Sequence, residues 1–351
     1  MINFDIPNIS HHLNDDIQYK LDHKTKPIGS LGLLEDWAAK IARIQGRLSP
    51  VFTNPVVLTV AADHKITEEG VSPCPTEITW QQVNNFLEGG GGIGLFANLY
   101  GMDLWVADAG VDYDFKSHPK LIDVKIKKGT DNFLKGHAMT MKECKQALTN
   151  GKNIVDRFSK NGTNIIAFGE MGIGNTTPAS ALLSIYANIS VEDSVGPGSG
   201  LNQSGINHKA KVISQAIKKH GISANPIENL ARFGGLEIAT IAGAMLQAAS
   251  QRMCIICDGF ITSSALLVAQ EINPKVLDYT FFSHQSNEQG HLKMMKQMKA
   301  KAILQLELRL GEGTGAVLAY SILKGALAVL SDMTSFEEAA ITDTTHIRFD
   351  K

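Results

Sequence analysis

The chain has 351 residues, with 33 Lys and Arg against 35 Asp and Glu and a formal net charge of −2. That near-balance disfavours a basic nucleic-acid binder or an acidic tail. A composition of 44% hydrophobic and 19% charged residues suits a globular enzyme with room for one large domain and a smaller one, and argues against disorder.

The opening MINFDIPNIS lacks the basic segment and apolar core of a signal peptide, so a cytoplasmic location is expected. A helix is expected over residues 30–46, with Leu31, Leu34, Ala38, Ile41 and Ala42 on one side and a glycine stop. Five apolar runs of strand length follow: VVLTVAAD (56–63), DLWVADAG (103–110), NIIAFGEMG (164–172), MCIICDG (253–259) and YTFFSH (279–284). Between them, helical periodicity marks 79–87, 137–150, 208–219 and 237–249. Strands alternating with helices imply an α/β fold with a doubly wound, mostly parallel, Rossmann-like sheet. Ligands of such sheets sit beyond the carboxyl ends of the strands, which here carry Asp63, Asp108, Glu170, Asp258 and His284. Near the C-terminus, Ser335 and Glu338 have the spacing of a capping box for a short helix. Residues 1–50 with 331–351 are expected to form a small helical domain beside a catalytic domain of 51–330. The apolar stretches near 238–249 and 316–330 are interrupted by Gln247 and Lys324 and fall short of a membrane span.

Four glycine-rich stretches are candidates for chemistry. The run 89–94 formally matches G-x-G-x-x-G, but the residues before it read as a helix, which favours a helix–helix turn over a dinucleotide site. GEMGIGNTT (169–177) leaves a strand and opens a helix, where free amides beside Asn175 and Thr176 make a ready anion site. Phosphate binding and an ordinary tight turn stand level there. GPGSGLN (196–202) precedes a helix carrying Lys209, which by itself reads as a solvated side chain. In RLGEGTGA (309–316), Glu312 lies between glycines and could act as a general base if buried. Residue types alone favour an exposed turn glutamate.

Other chemistries lack their motifs. There is no P-loop, no G-x-S-x-G elbow, no H-E-x-x-H helix, and no adjacent acid pair of the kind that diphosphate-using phosphoribosyltransferases place after a strand. Cys254 and Cys257 read as buried thiols of a strand rather than a metal or redox pair. His284 and His291 read as satisfied or loop histidines.

Taken in order, KPIGSLGLLE (26–35), AADHKITEEGVS (61–72), EITWQQVNNFLEGG (77–90), VADAGVD (106–112), GEMGIGNTT, VGPGSGLN, ARFGGLEIATIAGA (231–244), CDGFITSSALL (257–267), SHQSNEQGH (283–291) and LRLGEGTGA (308–316) resemble the nicotinate-nucleotide–dimethylbenzimidazole phosphoribosyltransferases of cobalamin lower-ligand synthesis. The resemblance implies a large parallel α/β domain, a small domain made from both termini and a homodimer. It implies small-molecule substrates, nicotinate mononucleotide and a benzimidazole-type base, and neither nucleic acid nor membrane. It also implies Glu312 as the catalytic base and Glu170 as an acid near the ribose. Gly172, Gly174, Asn175, Thr176, Gly198, Ser199, Gly200, Lys209 and Ser286 would surround the nucleotide, and Ser72, Gln81 and Leu310 would wall the base pocket. No metal and no cofactor are implied. Cys74, Lys65 and the extra glycines of 89–94 depart from the usual pattern and leave the preferred base open. Two alternatives carry different expectations: a non-catalytic nucleotide or benzimidazole sensor on the same fold, and a dehydrogenase, which requires a strand before Gly89.

Overall fold

The structure, a computed structural model, describes residues 3–346. Seven strands form one sheet: β1 (Val56–Ala62), β2 (Asp103–Gly110), β3 (Leu121–Asp123), β4 (Ile165–Met171), β5 (Cys254–Cys257), β6 (Thr280–His284) and β7 (Ala302–Leu304). Every pairing is parallel, in the order β3-β2-β1-β4-β5-β6-β7. The chain runs outward from β1 to β3, returns to β4 and runs outward again to β7. The reversal falls between β1 and β4, where a doubly wound sheet opens its binding crevice. Helices on both faces bury β1, β5 and β6 along their whole length, which is why these strands read as continuous apolar runs.

All five expected strands are present. The two missed strands, β3 and β7, are edges of three residues each, too short and too little buried to leave an apolar run. The helix expected at 137–150 spans Met141–Lys160. Thr140 and Glu143 form a full capping box that starts it, and Gly151 does not stop it. A Cβ at Gly151 would lie 1.9 Å from the Thr240 carbonyl oxygen of helix Leu236–Ser250, so this glycine serves helix contact. Helix Ile78–Leu87 precedes Gly89. The strand that a dehydrogenase needs there is absent, and the glycine run is a turn into helix Gly91–Tyr100.

The Cys254 and Cys257 thiols are buried in β5, and burial pushes both up to about 12. No cluster of potential metal ligands occurs among the described residues.

The two ends of the chain meet. Thr25 N–H donates to the Thr334 carbonyl at 3.0 Å, and the Lys24 ammonium donates to the Met333 carbonyl. A separate apolar cluster joins Ile17 and Leu21 of helix Asn14–Asp22, Ala38 and Ala42 of helix Leu33–Gln45, and Ala326 and Leu330 of helix Thr314–Ser331. Both bonds of the Ser335–Glu338 capping box form, at 2.7 and 3.1 Å, yet turns follow instead of the expected helix. Ala340, with φ 51°, takes the left-handed conformation that ends the first turn. The outermost parts of the expected small domain, residues 1–2 and 347–351, lie outside the described residues.

Helix Thr314–Ser331 is long and apolar enough to cross a membrane by length and composition, although half of it is buried inside the protein. It packs on β6 and on helix Leu33–Gln45, as a core helix does.

Candidate active site

A cleft opens at the carboxyl ends of β4, β5 and β6, next to the strand-order reversal. Glu170, Gly172, Gly174, Asn175 and Thr176 line one side of it, following β4 into the N-terminus of helix Thr176–Ala187. Ser72, Gly198, Ser199 and Ser286 line another side, and Leu310 and Gly311 close the rim. Most of the residues expected to hold substrate are therefore brought together. Gly200 and Gln81 are not on this wall; both are exposed, Gln81 on helix Ile78–Leu87.

One side of the cleft has groups suited to an anion. Helix Thr176–Ala187 directs its positive dipole end toward the cleft, although few of the free amides expected from the sequence remain there: Asn175 and Thr177 N–H already donate to the Gly172 and Gly174 carbonyls at 3.1 and 3.0 Å, and Pro178 has none. Lys209, on helix Gln203–His220, is fully buried rather than solvated as its residue type suggested. Its ammonium donates to Thr176 Oγ1 at 2.6 Å, and burial lowers it to about 8 against the opposing pull of Glu288. Ser199 and Ser72 bring their hydroxyls within 3.2 Å of each other across the loop. A buried ammonium bonded, among the described residues, to a neutral hydroxyl beside a helix N-terminus suits an anionic ligand.

Two carboxyl groups sit next to this cradle in different environments. Asn175 donates its amide N–H to Glu170, whose other oxygen faces Gly311. Burial first, and then the charges of Asp258 and Glu237, push Glu170 up to about 8, so it carries a proton at neutral pH. Glu312 is only 5% exposed, which overturns the exposed turn expected from residue types. Its backbone is left-handed, with φ 66°. Its Oε2 accepts the Ile93 N–H at 3.1 Å, at the start of helix Gly91–Tyr100, and the Gly92 amide also bonds this carboxylate. Burial raises Glu312 above the usual carboxylate value while those two amides partly offset the rise. The glycine run that imitates a dinucleotide motif thus serves to cap this acid. A Cβ at Gly91, which has φ 71°, would lie 2.6 Å from the Phe86 ring and 3.1 Å from Glu312 Oε2. Glu312 itself is not on the cleft lining; its neighbour Gly311 is, and the carboxylate lies beside the rim that Leu310 forms.

Several polar groups of the site had no role assigned from sequence. Asp258 and His284 were visible as polar strand ends, and His284 lines the cleft. Glu288 and Arg309 line it as well; their segments were singled out in the sequence, but these two residues were not. The fully buried His64 bonds Glu237 at 2.9 Å, with its ring against Gly172; the pairing depends on contacts 173 residues apart in sequence.

A doubly wound parallel sheet with a buried ammonium and two buried carboxyl groups beside its switch point is the arrangement of an α/β enzyme whose cleft suits an anionic small molecule. A family model described as "Phosphoribosyltransferase" matches residues 6–341, and the chain belongs to that family. Among curated relatives, the nicotinate-nucleotide–dimethylbenzimidazole phosphoribosyltransferase of Phocaeicola vulgatus is 43% identical over 342 residues, covering 97% of this chain and 99% of its own length. The protein of the same name from Geobacter sp. (strain M21) is 47% identical over 326 residues, 93% of each chain. The crystal structure of the Thermus thermophilus protein of that name superposes with a TM-score of 0.90 at 36% identity, covering 95% of this chain and 99% of the other. The family found is the one the ordered motifs resembled.

Proposed function

We propose that the protein transfers the phosphoribosyl group of nicotinate mononucleotide to 5,6-dimethylbenzimidazole or a related base, giving α-ribazole 5′-phosphate and nicotinate. The observation that carries this reading is Glu312: a buried carboxylate, oriented by two helix amides, next to a cradle suited to a phosphate dianion. The curated relatives that cover nearly the whole chain bear the name of this reaction.

The chemistry fits those groups. The leaving base of the nucleotide is a pyridinium, so the C1′–N bond breaks with its electron pair returning to nitrogen and no proton needed. The attacking benzimidazole nitrogen forms the new C1′–N bond from the opposite face, which inverts the β nucleotide to an α product. Its second nitrogen loses its proton to Glu312, which removes the positive charge that would build up on the base. Lys209, Thr176 and Ser199 hold the phosphate, with the positive end of helix Thr176–Ala187 facing it. Protonated Glu170 supplies a hydrogen-bond donor near the ribose. Leu310 and Ser72 border the base slot, and Gln81 would join them only by moving from its exposed position. Fixing both partners supplies much of the rate through positioning.

The same reading includes a homodimer: Leu95 and Leu99 expose 62% and 65% of their surface on one face of helix Gly91–Tyr100, next to the Glu312 cap. It includes a cytoplasmic setting, in keeping with four free cysteines. It also includes the division into a terminal unit (1–50 with 331–351) and a catalytic unit (51–330), supported by the backbone bond between Thr25 and Thr334 that joins the two ends. The test is incubation with nicotinate mononucleotide and 5,6-dimethylbenzimidazole, followed by chromatography and mass spectrometry. Formation of the α-linked nucleotide is the expected result; both substrates bound but unconverted would leave only a sensor.

A further inference from the structure

The turn that carries Glu312 is pinned from two sides by residues outside it. Thr59 is the single hydroxyl in β1, VVLTVAA, and it is completely buried. A polar side chain in the middle of a central strand needs a partner. Its Oγ1 donates to the Glu312 carbonyl at 2.8 Å. On β4, the register partner of Thr59 is Gly169, where a Cβ would lie 2.0 Å from that same carbonyl oxygen. Together, Thr59 and Gly169 make a slot in the sheet that receives one peptide group, and that group belongs to Glu312.

The other side is held from β5. Asp258, immediately after that strand, is buried and accepts Gly313 N–H on Oδ2 at 3.2 Å and Ala316 N–H on Oδ1 at 2.9 Å. It thereby caps helix Thr314–Ser331 and fixes the amide that follows Glu312. Between these anchors Glu312 keeps a left-handed backbone that a non-glycine residue rarely adopts, φ 66°. Such a conformation persists only where its surroundings over-determine it, and it aims the side chain at the amides of helix Gly91–Tyr100. Neither Thr59 nor Asp258 lines the cleft.

We propose that Thr59 and Asp258 are positioning residues that clamp the Glu312 turn and so set the direction of its carboxylate toward the incoming base. The proposal rests on the reading of Glu312 as the general base. The expected consequence is selective. Thr59→Val, isosteric but lacking the hydroxyl, lowers kcat by about ten- to a hundredfold with the KM for nicotinate mononucleotide unchanged. Thr59→Ser, which keeps the hydroxyl, restores most of the rate. Asp258→Asn, whose amide nitrogen cannot accept the second backbone N–H, also lowers kcat selectively.

Steady-state kinetics of the full-length variants, with melting temperature measured alongside, test this. A wild-type kcat in Thr59→Val overturns it, as does an equal loss in Thr59→Ser, because the hydroxyl then plays no part. If Thr59→Val does not fold, Asp258→Asn decides: an unchanged kcat overturns the proposal and a selective fall supports it. Glu312→Gln serves as the control. Full turnover in that variant refutes the base assignment itself, whereas its inactivity combined with a fully active Thr59→Val refutes only the clamp.

Discussion

Glu170 and Glu312 share a side chain but differ in their proton balance. The Glu170 carboxyl is held up at about 8, first by burial and then by the neighbouring Asp258 and Glu237 charges. In the unfolded chain the same group ionises near about 4.3. Between those values the native state keeps a proton that the unfolded state has lost, so its contribution to stability is fully present at low pH and is lost as pH rises toward 8. The slope is at most about 1.4 kcal/mol per pH unit. Glu170→Gln should flatten that segment in urea-unfolding curves collected between about pH 5 and 8; an unchanged slope would show that Glu170 does not hold the proton. Glu312 must be ionised to accept a proton, and burial raises it. The rate should therefore rise with pH on an acid limb whose midpoint lies above about 4.3, the free glutamate value. A limb at or below that value would contradict the burial argument.

Among the elements, two helix N-termini meet the site, one facing the cleft and the other bonded to the Glu312 carboxylate. Gly91→Ala would force a Cβ into Phe86 at a left-handed position, so it should cost about 1–3 kcal/mol and lower kcat together with stability. Thermal melts beside kinetics check this; a variant as stable and active as the parent would mean that the turn tolerates a side chain. Lys209→Met removes the buried ammonium while keeping much of the volume. It should raise the KM for nicotinate mononucleotide by at least about tenfold, with a smaller change in the affinity for the base. Equal effects on both substrates would place Lys209 outside the phosphate site. The sequence revealed the elements where the local pattern was strong. β1, β2, β4, β5 and β6 were legible because burial of all or most of each strand leaves a mainly apolar run. The run through Gly151 was not, because what requires a glycine there is the close approach of the Thr240 carbonyl, 89 residues away in sequence, and not a helix stop.

Across the whole molecule, the same distinction between local and distant causes decides which parts of the site could be read. The strand-to-helix turn at residues 169–177 was visible because strand, glycines and helix start follow one another there. Glu312 gave no such sign of burial: the Ile93 amide that bonds it lies 219 residues away, and the hydroxyl that holds its carbonyl lies 253 residues away. Lys209 likewise looked solvated until the fold brought Thr176 against it. What linked these distant pieces in the sequence was the order of many motifs. The exposed Leu95 and Leu99 belong to this scale too. Light scattering should give twice the monomer mass, and Leu95→Glu with Leu99→Glu should shift it toward the monomer; a monomeric parent would remove the dimer.

The most direct measurement is a single-turnover comparison of the parent and Glu312→Gln at saturating nicotinate mononucleotide and 5,6-dimethylbenzimidazole, with nucleotide affinity determined by calorimetry. Retained affinity with a rate at least about a hundredfold lower is the expected outcome. A rate within a factor of about two of the parent would contradict a proton-accepting role for this carboxylate, and would require the new bond to form without it.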